Sequence, residues 1–96
     1  MTVLRFTRFT TDPADTDEML SRRAALVSAA ENAFPGLIET RLARLDDGTW
    51  IDVWQWNSLA DAHAAVRVAS AIPEAAAAFS LARDVTVEFA ETVGDR

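Results

Sequence analysis

Hydrophobic and polar residues alternate along four stretches of the chain and follow a helical period in between. The stretches "VLRFTRFT", "LIETRLARL", "WIDVWQW" and "VTVEFAETV" alternate with a period of two, which predicts four β-strands. From Glu18 to Phe34 apolar residues recur at helical spacing, with Arg23 as the one interruption, and Pro35-Gly36 ends this helix. The pattern therefore predicts a first strand and an amphipathic helix, followed by a strand pair.

A second helical region follows the third strand. Ser58, with Asp61 three residues later, has the pattern of a capping box at a helix start. This helix must break or kink at Pro73, after which "EAAAAFSLAR" continues as a shorter helical piece. Asp47-Gly48 predicts the hairpin turn before the third strand. The order strand, helix, strand, strand, helix, strand predicts an α+β, ferredoxin-like fold, with a four-stranded antiparallel sheet and both helices on one face.

Both faces of this predicted sheet carry apolar residues. In the third strand Ile51 and Val53 point one way, whereas Trp50, Trp54 and Trp56 point the other. The same alternation is expected to separate Leu4 and Phe6 from Val3 and Phe9, and Ile38 and Leu42 from Leu37 and Leu45. Because two helices cover only one face, the other would expose a large apolar surface to water. The pattern therefore predicts a homodimer through the sheet face.

Composition and charge narrow the class of protein. The 96 residues are expected to form one domain, 1–96, with a core at about 3–93, and cysteine is absent, which excludes disulfides and thiolate chemistry. The net charge is -6, and the scattered arginines argue against a nucleic-acid partner. The start of the chain lacks signal-peptide features and no apolar run has the length of a membrane span, so a cytoplasmic location is expected. Arginine without lysine, together with many alanines, indicates a GC-rich bacterial genome.

The segment "DDGTWIDVWQWNSLADAHAA", a later proline, "FSLARD" and the strand "VTVEF" resemble the dimeric α/β-barrel superfamily, and within it the antibiotic biosynthesis monooxygenase (ABM) type of domain. The resemblance extends over about Val3 to Val93. It implies two ferredoxin-like sheets packed face to face, with the helices outside. Related activities include cofactor-independent monooxygenases of polycyclic aromatic polyketides, haem-degrading oxygenases, polyketide cyclases and small-molecule isomerases.

The resemblance also implies a pocket between the sheet and the helices. It places Trp56 in or beside this pocket, with Asp52 and Trp54 on the same side of the strand; Phe6 is a further candidate substrate contact. Haem degraders carry an axial histidine on the second helix, where this sequence has Ala65 and Val66. No tyrosine is present to act as a phenolic acid or base. We therefore expect no cofactor.

Asp52 and His63 are the candidate catalytic residues. A carboxylate between two tryptophans on a central strand must be hydrogen-bonded, ion-paired or raised in pKa, unless it is exposed near a strand edge. Candidate partners for Asp52 are Arg5, Arg8, Arg41 and His63. His63 borders the buried face of the second helix and is a candidate general base, or else an exposed histidine without a role. With one histidine and no cysteine, no metal site is expected.

Two classes of function remain open. In the first, a monooxygenase acts on an aromatic or polyketide-like molecule, His63 or Asp52 removes a proton, and O₂ reacts directly with the carbanion; Trp54, Trp56 and Phe6 contact the substrate. In the second, a dimeric protein binds small molecules or serves as an accessory protein without catalysis, and the tryptophans are core. A cyclase or isomerase could use the same pocket. A cavity of roughly 300 Å³ with converging polar groups would favour an enzyme.

Overall fold

A four-stranded antiparallel sheet forms one layer of the molecule, and helices cover part of one face. The computed structural model describes residues 2–94. Its elements are β1 (Val3–Thr10), α1 (Thr16–Ala33), β2 (Leu37–Arg44), β3 (Trp50–Trp56), α2 (Leu59–Val68), α3 (Pro73–Phe79) and β4 (Arg83–Glu91). The strand order is β2-β3-β1-β4, with every neighbouring pair antiparallel. The predicted ferredoxin-like α+β fold is therefore confirmed.

The second helical region is divided as its sequence predicted. Helix α2 ends at Val68, a single 3₁₀ turn follows, and α3 begins at Pro73. Proline is tolerated there because the first turn of a helix does not use its backbone N–H. At the start of α2, the Asp61 backbone N–H donates to Ser58 Oγ at 3.1 Å, and Ser58 Oγ donates to Asp61 Oδ2 at 3.0 Å. No helix among residues 2–94 combines the length and apolar character needed to cross a membrane.

One expectation for strand β2 is wrong. Leu37 pairs with Trp56 and Leu42 pairs with Asp52, so both leucines lie on the helix-covered face rather than on opposite faces. The cause is a register shift between Leu37 and Glu39, which places one extra residue in β2. Such a bulge reverses the alternation of side chains along the strand from that point.

Strands β1 and β3 alternate as expected, and their helix-facing residues form the core. Trp54 and Trp56 are buried together with small alanines, Ala30 from α1 and Ala62 and Ala65 from α2. The two indoles stack with ring centroids 6.3 Å apart. Alanine side chains let the helices approach the sheet closely, so the large indole rings determine the shape of the interior between the layers.

Strand β4 lies at a sheet edge and is only partly covered by the helices. All nine of its residues are exposed. Val87 and Phe89 pair with Thr7 and Arg5, which places them on the helix side of the sheet, yet each remains 40% exposed. The helices therefore cover the region over β1 and β3, and they leave the helix side of β4 partly open.

Candidate functional site: a small cavity lined by two arginines

A cavity of about 140 Å³ lies between the sheet and the three helices. Its polar lining comes from Arg5 and Thr7 on β1, Asp52 on β3 and Arg23 on α1; Trp54 and Trp56 form an indole wall, and most of the remaining lining is apolar. The volume is smaller than the ~300 Å³ typical of ligand pockets. A space is therefore present beneath the helices, but at about 140 Å³ it is below the volume that was expected to favour an enzyme, and it suits a small ligand.

Asp52 is held by three hydrogen bonds at the edge of this cavity. Arg23 Nε donates to Oδ2 at 3.0 Å and Arg23 Nη2 donates to Oδ1 at 2.9 Å, a bidentate ion pair. Trp54 Nε1 also donates to Oδ1, at 2.9 Å. The side chains of Asp52 and Arg23 are only 14% and 18% exposed. The carboxylate is therefore fixed and its negative charge is largely neutralised by Arg23.

The partner of Asp52 is not one of the four proposed from the sequence. Arg8 instead pairs with Glu88 at 3.6 Å, and Arg41 with Glu39 at 3.1 Å, both in exposed positions. Arg23 was visible in the sequence as a charge on the otherwise apolar face of α1. A charge at such a position is the signal of a buried partner on the layer below, because an unpaired buried charge is strongly unfavourable.

Arg5 lies beside this pair but is not bonded to it. It is directly opposite Trp54 in the β1–β3 ladder, and its Nε is inaccessible to solvent with no hydrogen-bond partner within residues 2–94. Burial lowers the pKa of Arg5, and the attraction of Asp52 acts in the opposite direction. Because an arginine remains protonated despite such a shift, Arg5 contributes a positive charge to the cavity.

Trp56 carries a second unpaired donor. Trp56 is only 3% exposed, and its Nε1 has no hydrogen-bond partner in the described part of the chain. The ring contacts Phe34 edge-to-face at a centroid distance of 5.9 Å. Nearly all buried polar groups in proteins are hydrogen-bonded, so two orphan donors lining one cavity are unusual. Sequence reasoning assigned ring contacts to Trp56 and missed the unpaired donor on Arg5.

The remaining two candidate residues lie away from the cavity. His63 is exposed on α2, and its ring packs edge-to-face against Phe89 of β4 at 5.4 Å. Phe6 pairs with Val53 and lies on the sheet face opposite the helices. The structure thus brings together Asp52, Trp54 and Trp56, and it separates them from His63 and Phe6.

The residues of α2 do not fit a haem ligand set at this cavity. A haem iron needs an axial side chain such as histidine, cysteine, methionine or tyrosine. The α2 residues lining the cavity include Ala62, Ala65 and Val66, and His63 is directed towards Phe89. The lining side chain of an axial-ligand type in the described chain is the thioether of Met19 on α1. Among residues 2–94, no group of three or more histidine, aspartate or glutamate side chains is arranged to hold a metal ion.

The fold is shared with several solved structures. No protein-family model and no curated protein sequence matches the chain. A putative antibiotic biosynthesis monooxygenase from Caulobacter crescentus superposes with a TM-score of 0.81 at 14% identity, over 97% of this chain and 91% of that one. SnoaB, a cofactor-independent oxygenase from Streptomyces nogalater, gives 0.72 at 20% identity, over 98% and 95%.

A third similar structure is the heme-degrader MhuD from Mycobacterium tuberculosis, with two hemes bound in its active site. It gives a TM-score of 0.73 at 22% identity, over 98% of each chain. At these identities the likeness establishes the fold. This chain therefore has the ferredoxin-like α+β fold of the antibiotic biosynthesis monooxygenase structures, as its sequence resemblance implied.

Proposed function

We propose that this protein is a cofactor-independent monooxygenase of an aromatic or polyketide-like small molecule that binds in the cavity beneath the helices. The observation that carries the proposal is the stacked pair Trp54 and Trp56, which walls a cavity containing charged groups. Stacked indoles favour planar aromatic ligands. The fold is also that of SnoaB, a cofactor-independent oxygenase.

The reaction requires a substrate that forms a stabilised carbanion. In an anthrone, the methylene group opposite the carbonyl of the central ring, flanked by two aromatic rings, loses a proton, and the carbanion then reacts with O₂. One oxygen atom remains on carbon as a new carbonyl, and the other leaves as water with the two hydrogens of the methylene. Asp52 borders the cavity, whereas His63 faces Phe89, so the proposal assigns proton removal to Asp52.

A non-catalytic small-molecule-binding protein is the second candidate. The observation that favours it is the set of three hydrogen bonds on Asp52, which hold this carboxylate in a structural ion pair with Arg23. A cyclase or isomerase using the same pocket is a third reading, which differs in the absence of oxygen uptake.

Oxygen consumption with an anthrone, in buffer containing a chelator, separates these candidates. The monooxygenase predicts O₂ uptake above autoxidation and, with ¹⁸O₂, one labelled oxygen in a quinone product. Asp52→Asn, which keeps the shape of the side chain, should lower the rate by roughly 10²-fold or more. Glu39→Gln, an exposed change, is the matched control and should leave the rate unchanged.

Each other result points to a different function. Binding of the anthrone without O₂ uptake would support the binding protein. A product of unchanged mass would support an isomerase, and loss of water would support a cyclase. Full activity of Asp52→Asn would remove Asp52 as the base and leave the oxygenase itself intact.

We further infer that the protein is a homodimer through the helix-free face of the sheet. Leu4 and Phe6 of β1 and Ile51 and Val53 of β3 lie on this face and are only partly buried within one chain. A second copy would bury these side chains and stabilise the pair by ~25 cal/mol for each Å² of apolar surface, before association costs.

A further inference from the structure

Two buried donors without partners lie on the same side of neighbouring strands. Arg5 is opposite Trp54 and Val3 is opposite Trp56, so Arg5 and Trp56 are diagonal neighbours on the helix-covered face. Diagonal neighbours have Cα atoms ~7–8 Å apart, within reach of long side chains. Arg5 Nε and Trp56 Nε1 are both inaccessible to solvent, both lack a hydrogen-bond partner in residues 2–94, and both residues line the cavity.

Among residues 2–94, neither donor is bonded to Asp52, the one carboxylate that lines the cavity. Guanidinium and indole nitrogens only donate, so each requires an acceptor oxygen. The carboxylate of Asp52 already receives two hydrogen bonds from Arg23 and one from Trp54. Leaving a buried donor unpaired is unfavourable, and a ligand that supplied an acceptor would remove that penalty.

The charges around the cavity specify the sign of this ligand. The ionisable residues of its lining are Arg5, Arg23 and Asp52, two positive charges and one negative. Since Arg23 and Asp52 form an ion pair, the positive charge of Arg5 is left without a counter-charge at bonding distance in the described chain. A monoanion would balance the charge of the site.

We propose that the cavity binds an aromatic ligand through an anionic oxygen, a carboxylate, phenolate or enolate, which accepts hydrogen bonds from Arg5 Nε and Trp56 Nε1. The ring of the ligand lies along the apolar wall formed by Trp54 and the helix alanines. This assignment rests on the proposed function of the same cavity and narrows its substrate class. In the oxygenase, the two donors stabilise the enolate that forms when the substrate loses its proton.

Equilibrium dialysis with two probes of matched shape tests the proposal. The first probe is 1-naphthoate, which carries the anionic oxygen, and the second is 1-methylnaphthalene, which lacks it. For the unmodified protein we expect 1-naphthoate to bind tighter by about tenfold or more, the usual effect of hydrogen bonds to a charged group. A water molecule held by the two donors would give no such preference.

Variants then assign the preference to its residues. Arg5→Gln removes the charge and should abolish the preference, with binding of 1-methylnaphthalene unchanged. Trp56→Phe keeps an aromatic ring and removes the N–H, so it should weaken 1-naphthoate alone by several-fold. Arg67→Gln, at an exposed arginine in the last turn of α2, is the matched control and should bind both probes as before. Circular dichroism identifies any variant that fails to fold. If Arg5→Gln does not fold, binding of the two probes by Trp56→Phe tests the proposal alone.

Three results would overturn the proposal: equal binding of the two probes, equal weakening of both by Arg5→Gln and Trp56→Phe, or loss of the preference in Arg67→Gln. Other results would contradict the proposed oxygenase activity without contradicting the anion site, or the reverse. If the anion binds through Arg5 and Trp56 but no O₂ is consumed, the anion site stands and the oxygenase does not. If an anthrone is oxygenated at the same rate by Arg5→Gln and Trp56→Phe, the oxygenase stands and the anion site does not.

Discussion

At the scale of single residues, the pair of Arg23 and Asp52 determines both the charge and the rigidity of the cavity. Burying two charges is unfavourable unless their geometry is good and the remaining polar atoms are satisfied. Here the pair is bidentate, and Trp54 Nε1 supplies a further bond to the carboxylate. The pair therefore holds α1 to β3 at a defined position and fixes the polar part of the cavity lining.

Arg23→Met should destabilise the protein by about 3–5 kcal/mol, because Asp52 would stay buried with the indole as its remaining donor. The double variant Arg23→Met/Asp52→Leu should recover much of this loss, since no unpaired charge is left. Urea unfolding at neutral pH measures both. Arg41→Met, in an exposed pair with Glu39, is the control and should change stability by less than about 1 kcal/mol. If the single and double variants lost the same free energy of unfolding, the unpaired charge of Asp52 would not be the cause of the loss.

Sequence reasoning found the carboxylate of this pair but not its partner. The alternation of β3 placed Asp52 beside the tryptophans, as observed, and Arg23 stood out as the break in an apolar helix face. Which arginine pairs with Asp52 depends on the shift and rotation of α1 relative to the sheet. The spacing of residues along the chain does not determine either. The unpaired Nε of Arg5 could not be predicted for the same reason. The position of Arg5 in β1 predicts the direction of its side chain, but it does not predict that no acceptor of the described chain lies within reach.

At the scale of elements, local chemistry predicted more than strand alternation did. Pro73 broke the second helical region and Ser58 capped α2 as expected, because both effects act within one helical turn. The bulge in β2 was not predicted, since Leu37-Ile38-Glu39 contains no glycine to signal it. One inserted residue then reversed the predicted faces of the whole remaining strand.

Gly36, between α1 and β2, is constrained by a close contact with α2. A Cβ atom at Gly36 would lie 2.6 Å from Asp61 Cγ and 2.8 Å from Asp61 Cβ. Gly36→Ala should therefore destabilise the protein by roughly 1–3 kcal/mol, as other overpacked sites do. Thermal unfolding measures the change. Gly94→Ala, where a Cβ meets nothing within 4 Å, should leave the unfolding temperature unaltered. An unchanged Gly36→Ala would mean that the start of α2 can shift freely.

At the scale of the whole molecule, two apolar surfaces lie outside the helix-covered core. One is the helix-free face of the sheet, centred on the pair Phe6 and Val53. The other is the helix side of β4, where Val87 and Phe89 are each 40% exposed. Alternation of side chains predicted the first surface. It did not predict the second, which exists because the helices cover the edge strand only in part.

A charge placed on each surface in turn tests the position of the proposed dimer interface. Val53→Arg places a charge at the centre of the helix-free face and should weaken dimerisation by on the order of a hundredfold or more, because a buried charge there has no partner. Val87→Arg places the same charge on the partly open side of β4 and should leave the dimer intact. Sedimentation velocity over a range of concentrations distinguishes monomer from dimer, and circular dichroism checks the fold. Dissociation by Val87→Arg alone would place the interface at β4. It would also make the side of β4 next to His63, where Phe89 contacts its ring, part of the assembly.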